Sequence, residues 1–183
     1  MGNHVIKKGL DLPITGAPTQ EVLRKATPEH VAVVGHDYPL MKPRMHVGVG
    51  DKVKRGTLLF EDRKTEGVRF TSPGAGEVVA IHRGEKRVFQ SLVIALNAAE
   101  KNGSVGDEDQ AHFEHYTGKE TGALTAEDVR GLLAESGLWT ALRTRPHSRT
   151  PGTADTCHAL FVTATDSNPL APSVPVALSL IHI

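Results

Sequence analysis

Cysteine is nearly missing from this sequence. Cys157 is the only one in 183 residues, which excludes an internal disulfide and fits a reducing compartment. A lone cysteine with no base placed beside it reads as a small core residue rather than a nucleophile. Aromatic residues make up 4% of the chain, too few for a row of rings that stacks single-stranded nucleic acid. Charge has no prevailing sign: 21 Lys and Arg stand against 21 Asp and Glu, so no global field draws the chain to nucleic acid or anionic lipid. No apolar run approaches the ~18 residues of a membrane span, so any membrane role is expected to come through partners. The first residues lack the apolar core of a signal peptide, and Ile6 stands where a myristoylation motif wants Ser or Thr. Neither G-x-G-x-x-G nor G-x-x-x-x-G-K-[ST] occurs, so no nucleotide-phosphate cradle is read. His112 and His115 are three apart but lack the further donors that zinc requires, and they read as surface histidines.

What is present centres on residues 45–96. Short apolar segments alternate with Gly-Asp, Pro-Gly and Gly-Glu breakers, the pattern of a small all-β unit. The two ends of this stretch repeat each other. Val47-x-x-Gly50-Asp51 recurs as Ile81-x-x-Gly84-Glu85, and Leu58-Leu59-Phe60 recurs as Leu92-Val93-Ile94. Each half predicts a strand, a tight turn and a second strand, with Gly50 and Gly84 supplying positive φ. Neither half can bury its apolar face alone, so the halves should clasp each other.

This pattern resembles the barrel-sandwich hybrid of biotinyl and lipoyl carrier domains, carried by Val47, Gly50-Asp51, Val53, Gly56, Leu59, Pro73 and Gly76-Glu77-Val78. Carrier domains hold a modified lysine on the hairpin between the halves, where this chain has Lys64. Lys64 is not flanked by the methionines of a biotin carrier, and it reads as a solvated turn lysine.

The rest of the chain is read as follows. Val5-Ile6 suits an edge strand, and Val31 to Val34 a buried one. Residues 99–121 are turn-rich and acidic and read as a linker or domain boundary. A helix should start at Thr125, where Thr125-x-x-Asp128 is a capping-box variant, with Val129, Leu132 and Leu133 on one face and Gly137 as its stop. Trp139 and Leu142 should pack inward from a short second helical piece. Residues 143–152 form a basic loop whose Arg143 and Arg145 are candidates for an acidic or phosphate-bearing partner. Residues 159–164 read as a buried strand, followed by a turn at Asp166 and Asn168. Polar groups at the C-terminal end of the first strand of an open α/β sheet are common contact points, so Asp166 and Asn168 join the interaction candidates.

Longer motifs carry a closer resemblance. Lys8-Gly9-Leu10-Asp11-Leu12-Pro13-Ile14, Phe60-Glu61-Asp62-x-Lys64 and Gly84-Glu85-Lys86-Arg87-Val88-x-Gln90-Ser91 are three of them. Gly137-Leu138-Trp139-Thr140-Ala141-Leu142-Arg143-x-Arg145-Pro146 and Phe161-Val162-Thr163-Ala164-x-Asp166-Ser167-Asn168-Pro169-Leu170 are two more. Together they are similar to the A subunit of the bacterial sodium-translocating NADH:quinone oxidoreductase. The resemblance implies an α+β chain: residues 1–98 as an N-terminal all-β barrel-sandwich hybrid, 99–121 as an acidic linker, and 122–177 as a helix and the truncated start of an α/β, Rossmann-like domain. It further implies a peripheral subunit on the cytoplasmic face of the bacterial inner membrane, with five partner subunits, B to F. That complex oxidises NADH, reduces ubiquinone and exports sodium, with its flavins and iron–sulfur centres in other subunits or at interfaces. No redox cofactor, metal or catalytic residue is therefore expected in this chain, while contact with ubiquinone remains open. Two departures stand out: Ser167 replaces an expected Thr, and family members run more than twice as long. Two alternatives stay open. One is a carrier domain modified on Lys64. The other is a docking module like the C subunit of the related electron-transport complex, although that family's cysteine clusters are missing here. Residues 178–183 match the translation of a transposase sequencing adapter, CTGTCTCTTATACACATC, and are set aside from the fold. On this reading residues 1–96 fold alone, and the strand at 159–164 is left with an unpaired apolar edge.

Overall fold

In the computed structural model of the chain, the described residues are 5, 14–16, 18–21, 27–163, 165, 166, 168 and 170–179. Ile6, the motif residues 8–13, Ala164, Ser167, Pro169 and residues 180–183 lie outside them. The chain divides into two units, residues 27–156 and a smaller one from 1–26 and 157–183.

The larger unit is built on two antiparallel sheets. One has the order β1-β7-β6-β3, with β1 at His30–Val34, β3 at Lys52–Val53, β6 at Gly76–Arg83 and β7 at Phe89–Leu96. The other has the order β2-β4-β5, with β2 at Pro43–Met45, β4 at Leu58–Asp62 and β5 at Arg69–Thr71. The clasp expected from the sequence repeat is present. β3, from the first half, pairs with β6, from the second, through Lys52 opposite Glu77 and Val53 opposite Gly76. Two more bonds extend this ladder, from the Gly50 amide to the Val78 carbonyl (2.8 Å) and from the Val78 amide to the Asp51 carbonyl (2.9 Å).

The two turns of the repeat differ. Gly50 has φ +95°, as the Gly-Asp breaker predicts. Gly84 is extended at φ −89°, and the left-handed residues of the second turn are Lys86 (φ +51°) and Arg87 (φ +60°). The second turn is a wider 3-10 turn over Glu85–Arg87, so the positive φ moves off the glycine onto two basic residues.

Alternating side chains of both sheets point inward and form one core. Leu59, Phe60, Val78, Leu92 and Ile94 are fully buried. Phe60 stacks on Phe70 with ring centroids 4.6 Å apart and meets Phe89 edge-on at 5.1 Å. Tyr38 stands edge-on to Phe70 at 4.7 Å. These four rings bridge the sheets. β1 is a half-buried strand at the edge of its sheet, not the buried one expected: Val31 and Val33 pack inward, while His30, Ala32 and Val34 face solvent.

The core is not closed by residues 1–96. Trp139, Leu133 and Leu142 complete the same cluster. Leu133 comes from α2, Ala126–Glu135, whose start is the expected capping box: the Asp128 amide donates to Thr125 Oγ1 (3.1 Å) and the Thr125 amide to Asp128 Oδ2 (3.0 Å). Gly137, at φ +80°, follows its C-terminus. The Thr71 hydroxyl donates to the Ser136 carbonyl at 2.7 Å and ties that end of the helix to β5. Trp139 lies in the 3-10 turn after it and donates its indole N–H to the Pro151 carbonyl (2.9 Å). The connection before α2 is also held. α1, Ala98–Asn102, follows β7 directly, and Arg55 exchanges backbone hydrogen bonds with Asp109 and Ala111 (2.8 Å each).

In the smaller unit the expected strand is not formed. Residues 159–163 have no strand pairing, and Leu160, Phe161 and Val162 are 68, 86 and 81% exposed. A strand is stabilised by cross-strand pairs and burial, and no second strand lies beside this segment among the described residues of the unit. Cys157 is exposed as well, its thiol turned to the Ala159 carbonyl, rather than a core residue. Val5 belongs to no strand and is exposed. The unit also holds a short helix, α3, at Val174–Ser179, and the Ser173 amide donates to the Gln20 side chain (2.8 Å).

If the aromatic bridge holds the sheets together, Phe60→Ala should destabilise the chain by roughly 3–5 kcal/mol. Urea unfolding followed by far-UV circular dichroism measures it. A loss below ~1 kcal/mol would mean that the sheets are joined mainly by something else.

Candidate functional site

The turn after β4 is set by a carboxylate. Asp62 Oδ1 accepts the amides of Lys42 and Lys64 (3.0 Å each), and the Arg63 amide donates to the Lys42 carbonyl (2.8 Å). This fixes the backbone on either side of the loop that carries Lys64. At its end Gly67 takes φ +78°, and any side chain there would strike Thr153. The Thr153 hydroxyl donates to the Glu66 carbonyl (3.4 Å). The hairpin on which a carrier lysine would sit is thus braced by the segment that follows the basic loop.

The basic loop is folded back on itself. The Thr144 amide donates to the Arg149 carbonyl and the Ser148 amide to the Thr144 carbonyl, both at 2.8 Å. Arg143 is exposed but held in place: its guanidinium donates to Thr150 Oγ1 (3.0 Å) and to the Asp37 carbonyl (3.1 Å), and lies 4.7 Å from the Tyr38 ring centroid. Arg145 is exposed on the loop. A hollow of about 180 Å³ opens nearby, lined by Tyr38, Met41, Lys64, Phe70, Arg149 and Thr150.

Asp166 and Asn168 belong to the smaller unit. Asp166 Oδ1 accepts both the amide and the side-chain N–H of Asn168 (2.9 and 2.7 Å), a closed local turn with both residues exposed. The four candidates therefore fall into two pairs. Arg143 and Arg145 share one loop, and Asp166 and Asn168 share one turn of the other unit.

The most ordered electrostatic feature was not read from the sequence. Glu100, on α1, is only 5% exposed. Its carboxylate accepts Arg55 Nε (2.8 Å), Arg55 Nη2 (2.6 Å) and the Ala75 amide (2.7 Å). The Arg55 fork, helped by the Ala75 N–H, outweighs burial and holds the Glu100 carboxyl below its ordinary value, and the same bond raises Arg55. Asn97 caps α1 by accepting the Glu100 amide (2.9 Å) and donates to Asp109 Oδ1 (2.7 Å). The sequence signal was Asn97-x-x-Glu100, a helix-start pattern at the end of the apolar run. A hollow of about 590 Å³ lies at this end of the sheet, lined by Lys52, Lys54, Glu77, Glu108 and Asp109 among others.

His115 is held in place by a carboxylate. Glu135 Oε2 meets its Nδ1 at 3.0 Å and its amide at 3.0 Å, and Glu135 Oε1 accepts the Glu114 amide (2.9 Å). Burial opposes ionisation of Glu135, but these donors prevail and keep its carboxyl below the ordinary range. Among the described residues no group of three or more His, Cys, Asp or Glu is placed to hold a metal ion, and no helix is long and apolar enough to cross a membrane.

Two small sheets clasped through a Gly-Asp turn, with a lysine-bearing hairpin between the halves, define a barrel-sandwich hybrid. Residues 4–97 match the family model described as the NqrA N-terminal barrel-sandwich hybrid domain, and residues 124–181 match the NqrA second alpha/beta domain. The chain belongs to the NqrA family. It is 52% identical over 177 residues to a protein of Serratia proteamaculans named as the A subunit of a Na(+)-translocating NADH-quinone reductase, covering 96% of this chain and 38% of that protein. Proteins of the same name from a Marinomonas species (49% over 176 residues, 96% and 38%) and Pseudomonas aeruginosa (50% over 174 residues, 95% and 37%) are similar to it to the same degree. The chain thus spans under two fifths of the length of these relatives.

The Glu100 contacts carry a pH dependence. A carboxyl held below its unfolded value of 4.5 contributes stability that is complete above that pH and is lost as pH falls through the folded value. Glu100→Ala leaves the Ala75 amide unpaired and should cost about 1–3 kcal/mol at neutral pH. It should also flatten the acid limb of a stability-versus-pH curve measured by urea unfolding. An unchanged acid limb would remove Glu100 as its source.

Proposed function

We propose that this chain is the N-terminal part of an A subunit that works as a peripheral member of a respiratory complex oxidising NADH, reducing ubiquinone and exporting sodium. The observation that carries this reading is about 50% identity running through both the sandwich and the start of the second domain, over 95–96% of the chain. In this reading the chain works by docking, on the cytoplasmic face of the inner membrane, to the five other subunits B to F. NADH, flavins, iron–sulfur centres and ubiquinone react in those subunits or at interfaces, and this chain brings no redox group of its own. The domain organisation we propose is a sandwich over residues 1–98, a connection over 99–121 and a second domain from residue 122. The exposure of Arg145, Asp166 and Asn168 supports them as partner contacts. Arg143 is exposed as well, with its guanidinium held against Thr150, Asp37 and Tyr38.

The test grafts residues 1–177 onto the remainder of a relative's A subunit in a cell lacking its own. The purified complex should keep all six subunits and its sodium-dependent NADH:quinone reduction. Arg145→Glu should lower the yield of co-purified subunits several-fold without changing the melting temperature of the chain. A graft that folds but recovers no partner, or a biotin or lipoate adduct on Lys64 in the intact mass, would overturn the assignment.

A further inference from the structure

We propose that the hollow between Tyr38 and Arg149 is an anion site that takes a terminal phosphate, held by Lys64 and Arg149. Three cations stand at this place: Lys64 and Arg149 line the hollow, and Arg143 lies against Tyr38, another of its walls. Among the described residues, neither Lys64 nor Arg149 forms an ion pair. Arg143 spends its hydrogen bonds on a carbonyl and a hydroxyl, which leave its charge uncompensated. The one carboxylate lining the hollow is Asp62, whose Oδ1 already accepts two backbone amides. A local surplus of positive charge therefore sits in a chain of zero net charge.

The larger hollow near Glu100 lacks this surplus. Its Lys52 and Lys54 face Glu77, Glu108 and Asp109, so its charges offset one another.

In the smaller hollow the backbone that carries these charges is fixed. The carbonyl of Arg149 accepts both the amide and the hydroxyl of Thr144 (2.8 and 3.1 Å), which fixes the backbone from which Arg149 projects. Lys64 projects from a backbone fixed by Asp62. Two free cations match a doubly charged oxyanion better than a single carboxylate, and a guanidinium fork beside an ammonium suits the several oxygens of phosphate. Tyr38 and Thr65, two residues that carry hydroxyl donors, belong to the same lining. At about 180 Å³ the hollow has room for roughly six waters at ~30 Å³ each, so a phosphate group fits.

The experiment titrates the 183-residue chain with inorganic phosphate against chloride at constant ionic strength, following backbone amide shifts by NMR. Saturable shifts at Lys64, Thr65, Arg149 and Thr150 are expected. The double variant Lys64→Gln/Arg149→Gln should weaken binding by about tenfold or more. Both side chains are exposed, so an unchanged melting temperature verifies that the variant folds. Lys101→Gln, on α1, should bind like the parent. A parent without saturable shifts, a double variant of unchanged affinity, or an equal loss in Lys101→Gln would each overturn the site. Flotation with phosphatidic-acid vesicles, competed by free phosphate and absent with phosphatidylcholine, would identify a lipid-borne phosphate. Saturable phosphate binding without flotation would identify a free one.

Discussion

Two small sheets with no disulfide between them must be joined by packing alone, and here the joint is aromatic. Phe60 and Phe70 come from one sheet and Phe89 from the other, and their rings lie 4.6 and 5.1 Å apart in series. Five of the chain's eight aromatic residues, Tyr38 and Trp139 included, belong to this one cluster. Rings that are scarce in the chain are thus concentrated at the place where neither sheet can bury its face by itself.

Around that joint the chain uses charge for position rather than for chemistry. Arg55 and Glu100 pin the first helix to the turn before β6, and Glu135 receives two backbone amides and an imidazole near the end of α2. Arg55 is 48% exposed, so its pairing contributes less than the geometry suggests. The buried Glu100 is the more consequential partner, because removing it strands an N–H that nothing else reaches. Arg143 follows the same logic, with a ring, a carbonyl and a hydroxyl as its partners. Lys64 and Arg149 stand outside such arrangements and line a hollow in which cations outnumber carboxylates.

The β-unit was legible because breaker spacing and alternation are local properties of a sequence. The clasp of β3 on β6 followed from the internal repeat, and the start of α2 from Thr125 and Asp128. What failed was conformation that depends on partners. The repeat predicted positive φ at both glycines, yet the second turn widened and placed it on Lys86 and Arg87. The apolar run at 159–163 carries strand composition, but composition does not supply a neighbour, and its side chains remain in solvent. At the site, chemical type suggested Arg143 and Arg145 equally. Both are exposed, and only the fold tells that the guanidinium of Arg143 packs on Tyr38. Glu100 was missed because its partners, Arg55 and Ala75, lie 45 and 25 positions away.

Trp139 and Leu142 belong to the core of the sandwich although they fall within the region that matches the second domain. During synthesis this imposes a delay. The ribosome finishes β7 at Leu96 and must add 46 further residues before Leu142 exists, roughly 2–9 s at ~5–20 residues per second. Once β7 has left the ribosome, the nascent sandwich presents the unfilled berth of an indole ring until these 46 residues have followed it out. Anything that slows their emergence lengthens that exposure without altering a single residue of the finished protein.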